Sequence, residues 1–285
     1  MADASISNAG MKGQTDTGKI IRLFVSSTFA DFQRERELLQ RRVFPDIANI
    51  CRAEGFRFLP IDLRWGVSEE AGAAQRTLPI IFEELRRCQR DSPDFHFLLL
   101  LGDRYGSRLL PNTIPNGDYA RLFARMSPGE QSLLERAYRL DENAVPSAYV
   151  VLLHPSAPTP EAREAANAAW RAEVAAPLLE ALAAASTRAA SPPVDTLRYT
   201  ASVTHREIVG HGLLDPLATG AHSAALCVIR TFTTSPSGPT ARDYVETDPA
   251  AREGQARLRA AVEQRLAAYH TAHPEQVPTN LALRY

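Results

Sequence analysis

Three short segments of this chain carry residue types suited to holding an anionic, ring-bearing ligand: Phe24-Val-Ser-Ser-Thr-Phe29, Asp62-Leu-Arg-Trp-Gly-Val67 and Leu101-Gly-Asp-Arg-Tyr-Gly106. Each opens as an apolar run and closes on polar, glycine or aromatic residues. Ser26, Ser27, Thr28 and Phe29 fall where a strand should meet a helix, and free amides at such a point suit phosphate. Plain helix capping by Thr28 explains the same residue types. The guanidinium of Arg64 matches a pyrophosphate, and the indole of Trp65 can stack on a base or ring. A structural Arg64 paired with Asp62 or Glu69, and a Trp65 packed over the sheet end, are the alternatives. Asp103, Arg104 and Tyr105 lie between two glycines that permit tight turning. There, an Asp103–Arg104 ion pair shapes the loop, or Arg104 and Tyr105 reach a ligand. A fourth segment, Ser202-Val-Thr-His-Arg-Glu207, contains a T-x-x-E capping box in which Glu207 would bond the amide of Thr204.

Other chemistries leave no trace. The seven histidines include no H-E-x-x-H pattern. His96 reads as a core histidine, and His205 and His211 have no partner spacing for a metal or a triad. There is no G-x-x-x-x-G-K-[ST] phosphate loop and no G-x-S-x-G elbow. The three cysteines, Cys51, Cys88 and Cys227, have no metal spacing and suit a reducing cytoplasm. A net charge of −1 over 285 residues gives no basic excess for nucleic acid. The longest apolar run, Phe95–Leu101, is far too short to span a bilayer.

The elements that must position these residues alternate strand and helix. Residues 1–19 are small and polar and read as a disordered lead-in. Ile20–Val25 is a β-rich run, followed by a helical stripe from Phe32 to about Ala53 that Pro45 should kink or split. Phe56–Leu63 is a second strand whose Pro60 places it at a sheet edge. The flavodoxin-like order 2-1-3-4-5 puts the second strand at that edge. Leu78–Arg90 is a helix. Phe95–Leu101 is a third strand, apolar but for His96. Ala148–Leu153 and Ala224–Ile229 are expected as the fourth and fifth. Ser127-Pro-Gly-Glu130 is a capping box, and Thr159-Pro160 opens an alanine-rich helix interrupted by Pro177. Pro249–Thr271 is amphipathic. The pattern predicts an α/β domain over 20–272, with a parallel sheet of about five strands flanked by helices. Residues 107–200 form a helical insertion, and 273–285 form a tail with no clear element. If the strands are parallel, the closing residues of all three segments share one edge, where ligands bind in open α/β sheets.

Phe24-Val-Ser-Ser-Thr-Phe-Ala-Asp31 with Glu35-Arg36, Ile61-Asp-Leu-Arg-Trp-Gly-Val67, Gly102-Asp-Arg-Tyr-Gly106, and Ser202-Val-Thr204-x-x-Glu207 occur in a familiar order. Together they resemble the amino-terminal domain of NACHT and WD-repeat proteins of the telomerase-associated and nephrocystin type. Asp141-Glu-Asn-Ala-Val-Pro146 followed by Tyr149-Val150 is similar to that group as well. The resemblance covers roughly residues 20–232. Those domains are similar to Toll/interleukin-1 receptor (TIR) domains, which implies a flavodoxin-like sheet and two roles. Some TIR domains cleave NAD at the nicotinamide–ribose bond, as a substrate rather than a resident cofactor. Others only self-associate to recruit partners. The resemblance places the catalytic glutamate at Glu207, behind Ser202 and Thr204, and gives the loop of Arg64 and Trp65 a part in assembly contacts. It implies a cytoplasmic signalling module; the absence of a membrane or nucleic-acid partner is the expectation from charge and the lack of a basic amphipathic stretch.

Overall fold

The structure is a computed structural model and describes residues 19–28, 30–63, 77–152, 159–215, 224–275 and 280–284. The lead-in before Lys19 lies outside the described residues, as do Phe29, Arg64 and Trp65. In chain order the strands are β1 (Lys19–Ser27), β2 (Phe56–Ile61), β3 (Phe97–Leu101), β4 (Thr113–Pro115), β5 (Tyr138–Asp141), β6 (Ala148–Val151), β7 (Ala225–Thr231) and β8 (Asn280–Arg284). Five of them form one parallel sheet in the order β2-β1-β3-β7-β8. Counted along the chain that is 2-1-3-4-5, the flavodoxin-like winding.

Local composition explains the placement. β3 is Phe-Leu-Leu-Leu-Leu with every residue buried, as a strand covered on both faces must be. Side chains alternate between faces. Phe24, Phe97, Leu99 and Leu101 meet Ile81 and Leu85, Ile208, and Leu258, Val262 and Leu266, each group from a different helix. Leu23, Val25, Leu98 and Leu100 meet Phe32 and Phe44 on the other face. Pro60 sits in β2 at the sheet edge, where its missing N–H leaves no ladder bond unmade.

Two expectations about the sheet are corrected. Ala148–Leu153 is not its fourth strand: β6 pairs antiparallel with β4 and β5 in a separate three-stranded sheet. Its residues are mostly half-buried, whereas a central parallel strand must be apolar and covered on both sides. The tail is not featureless either. Residues 280–284 pair with β7 in register from Cys227↔Asn280 to Thr231↔Arg284.

The insertion is therefore mixed rather than helical. It has its own core, which includes Leu110, Ile114, Leu122, Leu134, Tyr138, Leu178, Leu182 and Tyr199 and, among the described residues, nothing from the parallel sheet. The Ser127–Glu130 capping box forms in full, and Thr159 caps its helix through the amide of Ala162. The insertion leaves and returns at one point, where the N–H of Val203 donates to the carbonyl of Ser107 at 3.0 Å. Glu207 thus stays on the helix that covers β3, as though the detour were a short loop.

Pro45 and Pro177 do not break their helices. Each is the second residue of an α-helix, Phe44–Ala53 and Ala176–Arg188, that continues from a π-turn, Leu39–Val43 and Arg171–Ala175. Proline lacks the N–H and clashes with the carbonyl four residues back; the wider preceding turn accommodates both.

Candidate functional site

Sheet order reverses between β1 and β3, and such a switch point leaves a crevice at the carboxyl ends of the strands. Ser26, next to the last residue of β1, stands opposite Leu99 of β3 on the face that carries Phe24. The helix Val203–His211 covers that face. Its cap is Ser202, whose Oγ accepts from the amide of His205 at 3.2 Å. The expected Thr204–Glu207 capping box does not form, because the helix starts two residues earlier than that pattern requires. Glu207 lies past the first turn and its carboxylate turns toward β1. Ser26 Oγ donates to Glu207 Oε2 at 2.5 Å, with the two residues 0% and 6% exposed. Burial pushes the carboxyl up from 4.5 to about 7; the Ser26 hydrogen bond and the Arg36 guanidinium oppose that rise, and Asp62 adds to it.

Arg36 and Asp62 form a buried ion pair at 2.6 Å beside this contact. Arg36 Nη2 also reaches the Ser27 carbonyl at 3.5 Å. Sequence reasoning offers Asp62 only as a partner for Arg64. It misses Arg36 as a site residue, although the Glu35-Arg36 dipeptide belongs to the family pattern and is the one signal that could have found it.

Thr28 is not a helix cap. Its hydroxyl donates to the Asp31 carboxylate, and the helix begins later, at Gln33, with Phe32 as the N-cap residue and no side-chain cap bond. The reason is tertiary. Asp31 and Phe32 are fully buried, and Arg230 holds both: Nη2 lies 2.6 Å from Asp31 Oδ2, and the guanidinium stacks 4.1 Å from the Phe32 ring. The free helix amides expected just after Ser26–Thr28 therefore lie farther down the chain, at the start of the helix Gln33–Leu38. Ser27 faces away from Ser26 and its Oγ donates to the Thr28 carbonyl at 2.8 Å.

The glycine-bounded loop after β3 packs over this base. A Cβ on Gly102 would overlap Asp31 Oδ2 and stand 2.7 Å from Arg230 Nη2, so only glycine lets the backbone pass. Gly102→Ala is expected to destabilise by about 1–3 kcal/mol, as overpacking of a rigid site does. A lowered urea midpoint with unchanged slope is the check. Gly106 takes φ +86°, and an added Cβ there would stand 3.0 Å from Thr28 Cγ2, 3.6 Å from Thr204 Oγ1 and 3.9 Å from Ser202 Cβ. Ser202, Thr204 and Thr28 thus converge on one glycine.

The rest of that loop turns away. Asp103 pairs with Arg259 at 3.0 Å, and Arg104 donates to the Arg242 carbonyl, so the expected Asp103–Arg104 pair does not form. Arg259 competes from the packed helix Pro249–Ala272, while successive residues of an extended chain point to opposite sides. Tyr105 is buried against Gly254, and its hydroxyl lies 3.0 Å from His205 Nδ1. Burial pulls His205 down to about 4. His96 lies before β3 at the opposite end of the sheet, with Nδ1 at 2.9 Å from the Ser92 carbonyl. Among the described residues no group of His, Cys, Asp or Glu is arranged to hold a metal, and no helix is long and apolar enough to cross a membrane.

Residues 22–178 match the family model described as a domain of unknown function, DUF4062. The chain is 35% identical over 150 residues to NACHT domain- and WD repeat-containing protein 1 of Mus musculus, covering 48% of this chain and 10% of that protein. It is 33% identical over 135 residues to NACHT and WD repeat domain-containing protein 2 of Homo sapiens, covering 46% of this chain and 8% of that protein. Telomerase protein component 1 of Rattus norvegicus is 40% identical over 86 residues, which are 30% of this chain and 3% of that protein. The aligned segments thus span a tenth or less of these relatives. No solved structure matches. With its α/β fold and its relatives among the NACHT and WD-repeat proteins, this chain belongs to the DUF4062 family.

Proposed function

We propose that this domain is a cytoplasmic effector module of a NACHT-type protein that cleaves NAD at the nicotinamide–ribose bond when it self-associates. The observation that carries the reading is the buried Ser26–Glu207 contact at the β1/β3 switch point. Glycosidic cleavage develops positive charge on the ribosyl carbon. A desolvated carboxylate beside that carbon stabilises the charge far better than one in water. Nicotinamide leaves with the bonding electron pair and becomes neutral, and water adds to the ribosyl carbon with loss of a proton. Glu207, poised near 7, is part ionised at neutral pH, and a bound pyridinium ring favours its ionised form. Ser26 fixes the carboxylate's direction, and Arg36 supplies positive charge behind it.

The test is nicotinamide release from NAD by concentrated or tethered protein. Glu207→Gln, checked for folding, is expected to lower release by at least about 100-fold, as loss of a transition-state charge partner does. Unchanged release in that variant removes Glu207 from the reaction. No release by the parent protein at any concentration leaves the second role of the resembling domains, a non-catalytic module of self-assembly and recruitment.

A further inference from the structure

The Ser26–Glu207 pair is closed to solvent, so no ribosyl ring reaches the carboxylate until something moves. The glycine-bounded loop 102–106 stands against both elements that carry the pair. A Cβ on Gly106 would lie 3.0 Å from Thr28, two residues beyond Ser26, and 3.6 Å from Thr204. Thr204 is three residues before Glu207 and so on the same side of its helix. On its other side the loop is held by residues that follow β7. Gln255 Nε2 donates to the Gly102 carbonyl, Arg259 Nη1 lies 3.0 Å from Asp103 Oδ1, Arg104 donates to the Arg242 carbonyl, and the Tyr105 ring packs on Gly254. Val245 bridges to Asp103, whose carbonyl accepts from the Glu246 amide at 3.2 Å. The Glu246 carboxylate joins loop and strap at once. The residue is 8% exposed; Oε2 accepts from the Tyr105 amide at 3.4 Å and Oε1 from the Thr247 amide at 3.1 Å.

Glycine at both ends gives the loop no conformation of its own, so its place is set by what it touches. Of those hydrogen bonds the one from Tyr105 to Glu246 is the longest, and it is the one to a side chain that could swing away. We propose that Glu246 is the latch of a gate: it holds the loop 102–106 shut over Ser26 and Glu207, and its release admits a ligand to them. That the ligand is NAD, and the closed state the resting one, rests on the cleavage proposed above; the latch itself does not. A carboxylate suits the task because its two oxygens serve two amides. Glutamine has one acceptor oxygen and would set its NH2 group against the other N–H. The strap 241–248 is fixed independently of this side chain. The Glu246 amide bonds Asp103, and the Glu246 carbonyl takes the Arg252 guanidinium at 3.2 and 3.3 Å. A change of the side chain therefore frees the loop without undoing the strap.

Hydrogen–deuterium exchange of the full chain reads the latch directly. In the peptide spanning 102–106, Glu246→Ala should exchange at least about tenfold faster than the parent. Glu246→Gln, of the same shape, should exchange at least about threefold faster, because one of the two amides loses its acceptor. The helix Pro128–Ala137, in the separate core of the insertion, should keep the parent's rate. Equal exchange of the loop in all three proteins overturns the latch. So does an acceleration shared equally by that helix, which would mark a residue that only stabilises the fold. The second readout is nicotinamide release. Where the parent cleaves NAD, both variants should release nicotinamide at least about threefold faster at NAD below KM, and Glu207→Gln added to Glu246→Ala should abolish that release. Release no faster than the parent's, with the loop loosened, overturns the gate. Where none of the proteins cleaves NAD, the exchange rates alone decide the latch, and the cleavage reading is what falls.

Discussion

Arg230→Met is expected to remove about 3–5 kcal/mol of folding stability, the cost of breaking a buried ion pair from one side. The guanidinium is 1% exposed and is ringed by Phe32, Phe232 and Tyr244 at 4.1, 5.0 and 5.5 Å. Methionine keeps most of that apolar contact, so the loss isolates the charge. Asp31 is the group left behind. Burial already lifts its carboxyl from 3.8 to about 6 against the pull of Thr28 and Arg230. Without Arg230 it must either hold an unpaired charge in the core or take up a proton. The deficit should therefore be largest at pH 8 and shrink as pH falls through the Asp31 titration. Adding Asp31→Asn to Arg230→Met should recover part of the loss, giving a coupling energy of about 1–3 kcal/mol in the double-mutant cycle. Urea denaturation of the four proteins at pH 8 measures it. A single-variant loss below about 1 kcal/mol would show that the pair is not worth what its burial implies.

The second large effect has the opposite direction. Glu207→Gln is expected to be more stable than the parent at pH 8 by up to about 3 kcal/mol, since each tenfold change in proton affinity is worth about 1.4 kcal/mol. The sign follows from linkage. The folded-state carboxyl titrates near 7 and the ordinary value is 4.5, so between them the native protein holds a proton that the unfolded chain has lost. Stability from this group is present below about 4.5 and is lost as pH rises through about 7. Glutamine stays neutral and can still accept from Ser26. The two proteins should therefore match at pH 4 and diverge through neutrality. A residue kept ionisable at a cost in stability is the pattern of a functional position. Thermal melts across pH decide it. A glutamine variant less stable than the parent at pH 8 would mean that the charged form is needed by the fold.

What the sequence revealed was what is encoded locally. β1, β2 and β3 are apolar runs with turn residues at their ends, and Pro60 alone was enough to place β2 at the edge. Ser127 and Thr159 begin their helices because each cap hydroxyl accepts from the amide three residues on. What it concealed was pairing. β6 has strand composition, but nothing in Ala-Tyr-Val-Val names its partners as β4 and β5. β8 is too short and mixed to stand out before β7 aligns it. The start of the helix bearing Glu207 hinged on two hydroxyls two residues apart. Ser202 is the cap, and the carboxylate that would complete a box at Thr204 bonds instead to Ser26, 181 residues away. Arg36–Asp62 and Asp31–Arg230 join residues 26 and 199 positions apart, beyond any local pattern. Spacing marked Glu207 only as a capping residue, and nothing local names Ser26 as its partner.

The hydrogen bond from Val203 to Ser107 has a thermodynamic corollary. Closing a loop costs an entropy that grows only logarithmically with its length, so a long excursion with joined ends is little dearer to the parent layer than a brief one. The excursion meets its own ordering cost through an interior that, among the described residues, is drawn from its own elements. Size and sequence between those two anchor points are thereby uncoupled from the Ser26–Glu207 contact, and evolution is free to rewrite one without disturbing the other.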